Sequence, residues 1–142
     1  MKEGIKFIVS YSVFSICLFV ISKLFLKELT AEIFAYLMFD YLVTMPLGII
    51  LYPVLGWLMV RYKLSSALRV ILSFIFCIVI INAIPFIFDD NRILLFDALN
   101  GIFKDRSMLG FNNLGIHLVA IVSFTICYLL FRKDRFWSNV KE

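Results

Sequence analysis

Four runs of this chain are each long and apolar enough to cross a lipid bilayer, and together they take up more than half of it. They cover 5–26, 33–60, 70–88 and 111–131. A hydrocarbon core about 30 Å thick needs a helix of about 20 apolar residues. Lipid offers no partner to a free N–H or C=O, so a spanning segment must satisfy its own backbone as a helix or within a closed barrel. Barrel strands are about 10 residues long and alternate in polarity, and none of the four runs alternates. Composition points the same way, with 63% of the 142 residues hydrophobic and 17% charged, where a soluble domain is about half apolar. The expected fold class is therefore all-α: a polytopic membrane protein of four transmembrane helices in an up-down antiparallel bundle.

A cleaved signal peptide is the alternative for the first run. The run is longer than the roughly 7–15 residues of an apolar signal core, and Lys23-Leu24-Phe25-Leu26-Lys27 follows without a small-residue cleavage pattern. A retained first helix is the expectation. The first two connections, 27–32 and 61–69, are short enough to hold neighbouring helices antiparallel. No linker or repeat interrupts the chain, so 1–142 reads as a single integral membrane domain.

The third connection, 89–110, is longer than most loops without structure of their own. Asp89-Asp90-Asn91 can cap a helix, and Leu95, Leu99, Ile102 and Phe103 follow at helical spacing. Phe96 widens that apolar face, while Asp97 and Lys104 lie off it. This pattern predicts a short amphipathic helix between the third and fourth spans, lying on the outer membrane surface. Such a helix either caps the bundle or gates access to a partner or substrate.

Loop charges set the orientation. Lys2, Lys6, Arg61, Lys63, Arg69, Arg132, Lys133, Arg135 and Lys141 fall on the side of the two ends; Lys23, Lys27, Arg92, Lys104 and Arg106 fall opposite. By the positive-inside rule both ends lie in the cytoplasm and the protein sits in the cell membrane. The formal net charge of +4 would point to nucleic acid only if the basic residues clustered on a soluble face. Here they mark helix ends. The expected partner is the lipid bilayer, with another membrane protein or a second copy of the chain as further candidates. Phe136-Trp137, beside Arg132, Lys133 and Arg135, reads as an interfacial anchor for the last helix. Cys17, Cys77 and Cys127 all fall inside spans without a CxxC pair, and read as buried small apolar residues.

An ionisable group inside a span costs a few kcal/mol or more unless partnered, which makes each one a functional candidate. Lys23, Asp40 and His117 qualify, with Asn82 as a polar neutral. In the expected topology all four fall in the outer third of the bilayer. Ser12, Ser15, Ser22 and Lys23 share a face of the first helix. Tyr36, Asp40 and Thr44 form a row on the second. Asn113, His117, Ala120 and Tyr128 line one face of the last. These stripes could meet on the bundle axis, either as a structural polar cluster or as a binding site for a proton, ion or small substrate; Asp40 with Lys23 or His117 is the leading pairing.

The second span carries Pro46, Gly48, Pro53 and Gly56. Each proline removes a helical hydrogen bond and bends the helix, so Pro46 and Pro53 are packing elements and candidate hinges, while the glycines allow close helix approach. Pro85 bends the third span near Asn82, whose side chain could satisfy a carbonyl freed there. One histidine and one deep carboxylate do not make a metal site, and no cofactor motif is present. GxSxG, HExxH, GxxxxGK and DxD are all missing, so the chain is not expected to be an enzyme.

In length, helix count and its Phe-, Ile-, Lys- and Asn-rich vocabulary, the whole chain resembles small uncharacterised four-helix integral membrane proteins of low-GC Gram-positive bacteria. It differs from small multidrug transporters, which carry a membrane glutamate in the first helix; the run at 5–26 has none. Two functions follow as expectations: a non-enzymatic accessory or interaction protein, such as an immunity-type subunit, or a small oligomeric transporter or channel using the polar cluster.

Overall fold

The computed structural model describes residues 2–26, 31–88, 91–101, 103, 108–134 and 136–137; within these the side chains of 25, 26, 31–34, 36, 37, 39–41 and 108–112 are not described. Among the described residues the protein is all-α, with five helices and no strand. They are α1 (Lys2–Leu26), α2 (Ala31–Arg61), α3 (Ser66–Phe88), α4 (Leu94–Asn100) and α5 (Met108–Phe131). Four of them are long and apolar enough to cross a membrane. α1, α3 and α5 each begin a few residues before the apolar run that predicts them. Those extra residues, such as Lys2 and Glu3 or Ser66 and Arg69, are polar enough for the headgroup region, where a helix continues without a hydrophobic signal. Glu3 in the first turn of α1 and Lys23 in its last turn complement the helix dipole. α2 is 31 residues long and stays helical through both Pro46 and Pro53.

The helix neighbours form a closed ring: α1 packs on α2 and α5, α2 on α3, and α3 on α5, while α4 lies across α5 and touches α3. Phe7, early in α1, meets Phe124 and Phe131, late in α5, at ring-centroid distances of 5.5 and 6.4 Å. Lys23, late in α1, reaches Gly115, early in α5. At Gly48 of α2 three helices meet, since a Cβ there would lie 2.9 Å from Ile80 of α3 and 3.7 Å from Ile8 of α1.

The α2–α3 connection is a well-formed Schellman turn. Lys63 N–H bonds to Val60 O and Leu64 N–H to Met59 O, with Lys63 at φ 49°. Ser65 then caps α3 by accepting from Leu68 N–H. Lysine is an unfavourable residue at a left-handed position, because its Cβ crowds the backbone. Lys63→Gly is therefore expected to stabilise the fold by about 0.5–1 kcal/mol, read as a raised melting temperature in detergent; an unchanged or lowered value would contradict this turn.

Three expectations are corrected. Cys77 and Cys127 are buried, but Cys17 is exposed on the outer flank of α1, where lipid accepts a thiol as readily as a protein core does. The cap proposed for α4 falls partly on 89–90, outside the described residues. The N-cap is Ile93, which makes no side-chain cap bond, and Asn91 instead turns the chain at φ 62°. Phe136-Trp137 is not an interfacial anchor. Asp134 N–H to Phe131 O and Trp137 N–H to Asp134 O turn the chain back after α5, and Trp137 is 3% exposed. It enters the core because Phe7, Tyr128 and Phe136 offer it ring contacts at 5.0, 5.4 and 4.8 Å, which a headgroup position cannot match.

Candidate functional site

At one end of the bundle α3, α4 and α5 converge on two polar side chains. His117 sits one helical turn after Asn113 on α5, so its Nδ1 can reach the Asn113 carbonyl, 2.7 Å away. A carbonyl only accepts, so the proton is on Nδ1 and Nε2 carries the lone pair. Asn82 of α3 fills that lone pair: its Nδ2 donates to His117 Nε2 at 3.1 Å and to the Ile78 carbonyl at 2.9 Å. Its Oδ1 accepts from Leu95 N–H at 3.0 Å. These partners fix the amide orientation, because a flipped Asn82 would face an acceptor with an acceptor. Leu95 is in the first turn of α4, where backbone N–H groups have no helical partner. The cap that α4 lacks in its own sequence is thus supplied from α3, thirteen residues earlier. Arg92 adds an ion pair with Asp97 across the same turn.

Asn82 does not mend the proline bend. The carbonyl left free by Pro85 belongs to Ile81, whereas Asn82 bonds to Ile78. Two of the four expected site residues, Asn82 and His117, are in contact. Lys23 is half-buried, with Nζ 5.7 Å from the Phe19 ring centroid and 3.9 Å from where a Gly115 Cβ would stand, two residues from His117. The Asp40 side chain, and with it the expected pairing to Lys23 or His117, lies outside the described residues, as does that of Tyr36. The remaining stripes do turn inward: Ser12, Ser15, Thr44, Asn113 and Ala120 are buried, while Ser22 bonds to the Phe19 carbonyl of its own helix. Ser15 Oγ, Asn113 Nδ2 and Ser123 Oγ are buried without a hydrogen-bond partner among the described residues.

Chemically the node is closed. Both imidazole nitrogens are engaged, so His117 offers no lone pair to a metal and no open nitrogen to a substrate proton. What the arrangement does is hold α4 against α3 and α5. α4 and the residues just after it pack inward through Leu94, Ala98 and Gly101, and leave Leu95, Phe96, Leu99 and Phe103 exposed.

The opposite end holds a second feature. Phe7, Tyr52, Phe124, Phe131, Phe136 and Trp137 stack into one aromatic base. Tyr52 is fully buried and donates its hydroxyl to Ser73 Oγ at 3.2 Å. Arg69 ties the base shut, its Nε bonded to Leu64 O at 2.9 Å and its Nη1 to Phe136 O at 3.1 Å. The sequence signal for this base was the Tyr and Phe residues near the ends of three spans, which look the same as headgroup anchors. No protein-family model matches this chain, nor does any curated protein or solved structure with which it was compared.

Proposed function

We propose that this chain is a multi-pass protein of the cell membrane that works by association, as a non-enzymatic accessory subunit of the immunity type. The helices form an up-down antiparallel bundle with both ends in the cytoplasm. The meeting of Phe7 with Phe131, and of Lys23 with Gly115, supports antiparallel α1 and α5. Arg69 bonded to Phe136 supports a shared end for the α2–α3 connection and the segment after α5. The described charges of that end are Lys2, Lys6, Arg61, Lys63, Arg69, Arg132 and Lys133 against Glu3 and Asp134, which favours the cytoplasm. One observation carries the functional reading: the Asn82–His117 pair is closed on its own helices and gives its remaining acceptor, Asn82 Oδ1, to Leu95 N–H, which holds α4 with an apolar face outward. Large exposed apolar patches mark protein or membrane contacts.

A second reading, a small oligomeric transporter or channel, draws on Ser15 Oγ, Asn113 Nδ2 and Ser123 Oγ, buried without a partner among the described residues, which could receive a small polar guest. Proteoliposome measurements separate the two. Under the accessory reading, proton- or ion-driven flux equals that of empty vesicles, and a photo-crosslinker placed at Phe96 or Phe103 captures one membrane protein in stoichiometric yield. Flux that disappears in Asp40→Asn or His117→Ala, with the fold intact, would instead establish transport.

A further inference from the structure

A groove of about 240 Å³ opens on the flank of the aromatic base, lined by Gly4, Tyr52, Pro53, Gly56, Trp57 and Val60 with Phe136. Two of its wall residues are glycines against which aromatic rings pack closely. A Cβ on Gly56 would stand 2.9 Å from the Phe136 ring, and one on Gly4 would stand 3.4 Å from Tyr52. Its volume holds about eight groups of water size, at about 30 Å³ each. Its rim on α2, Trp57 and Val60, is more than half exposed, so the groove opens sideways, toward whatever surrounds the helices.

Above the rim the chemistry changes sign. Arg61 follows Val60 directly, is exposed, and holds its guanidinium 5.0 Å from the Trp57 ring centroid. Among the described residues it has no carboxylate partner. Lys2 is exposed two residues before Gly4. An apolar slot beneath an oriented guanidinium matches a molecule with an acyl chain and an anionic phosphate head.

We propose that this groove binds an anionic phospholipid, one acyl chain lying over Gly56 and Pro53 and the phosphate meeting Arg61. The inference rests on the membrane reading above. Trp57 holds the guanidinium by a cation–π contact, so the charge is positioned before the lipid arrives. Basic pockets at helix flanks recognise phospholipid heads in this way.

The test uses the full chain, extracted in mild detergent and mixed with phosphatidylglycerol or phosphatidylcholine of identical acyl composition, with retained lipid counted by native mass spectrometry. Phosphatidylglycerol is expected to be retained roughly fivefold more, the factor supplied by one cation beside an anionic head, and excess inorganic phosphate should not remove it. Arg61→Gln should abolish that preference while leaving phosphatidylcholine retention unchanged. Val60→Trp, which fills the slot from an exposed position and so spares the fold, should reduce retention of both lipids. Equal retention of the two lipids by the unaltered protein overturns the proposal, as does an Arg61→Gln protein that keeps the preference or a Val60→Trp protein that keeps its lipid. If the chain is released from membranes by alkaline carbonate, the membrane reading itself fails; if it stays embedded and shows no preference, only this site fails.

Discussion

Trp137→Ala is expected to destabilise the fold by about 3–5 kcal/mol, the cost of emptying a buried aromatic site. The indole is surrounded by Phe7, Tyr128 and Phe136. Phe136 would lose its edge-to-face partner, and the segment whose Phe136 carbonyl Arg69 grips would be held less firmly, so the loss should spread to the α2–α3 connection. Thermal unfolding followed by near-ultraviolet circular dichroism in detergent would register both effects, as a lower midpoint and a weakened aromatic signal before melting. Exposed Arg132 provides the control, since Arg132→Gln should change stability by no more than about 0.5 kcal/mol. If Trp137→Ala melts like the unaltered protein, the indole is a headgroup anchor after all and the aromatic base is not what closes this end.

Asn82→Ala is the second large effect. It leaves His117 Nε2 without its donor and Leu95 N–H without its acceptor. Losing the partner of a buried polar group costs about 1–3 kcal/mol. Hydrogen bonds between membrane helices average nearer 0.6 kcal/mol because the expanded state finds other partners, so the lower half of that range is expected. The local consequence is larger than the global one. α4 is a seven-residue helix whose first turn depends on a side chain from α3, and amide exchange at Leu95 should accelerate at least about tenfold, equivalent to about 1.4 kcal/mol of lost protection. A double-mutant cycle with His117→Ala should return a coupling of about 0.5–1 kcal/mol. Unaltered protection at Leu95 would mean that α4 is held by Leu94 and Ala98 alone.

The long helices were legible because lipid imposes one crude requirement, continuous apolarity, that composition cannot hide. The inward direction of Ser12, Ser15, Thr44, Asn113 and His117 was legible for a related reason: helical spacing gathers them on faces that lipid would penalise. Contacts between distant residues were not. Nothing local in Asn82 says that it will cap a helix thirteen residues on or meet a histidine thirty-five residues on. Nor does Phe136-Trp137 declare itself, since tryptophan beside arginine reads the same at a membrane surface as in an aromatic core. The short helix was legible in part. Spacing named Leu95, Leu99 and Phe103 as its apolar side, and these are left exposed, but nothing local said that Leu94, Ala98 and Gly101 would meet the bundle. Small residues permit close approach between helices, and in lipid large ones gain little by turning inward.

The length of α2 has a consequence of its own. Thirty-one helical residues reach roughly 46 Å at about 1.5 Å each, well beyond a hydrocarbon layer of about 30 Å. The surplus has to be absorbed by leaning, by projecting past the surface, or by thickening the lipid around it. Since α2 joins α3 through only four residues, a change of lean in one must be passed to the other. Bilayers of graded acyl length should therefore alter the crossing of these two helices while leaving the tie between Arg69 and Phe136 as the fixed pivot.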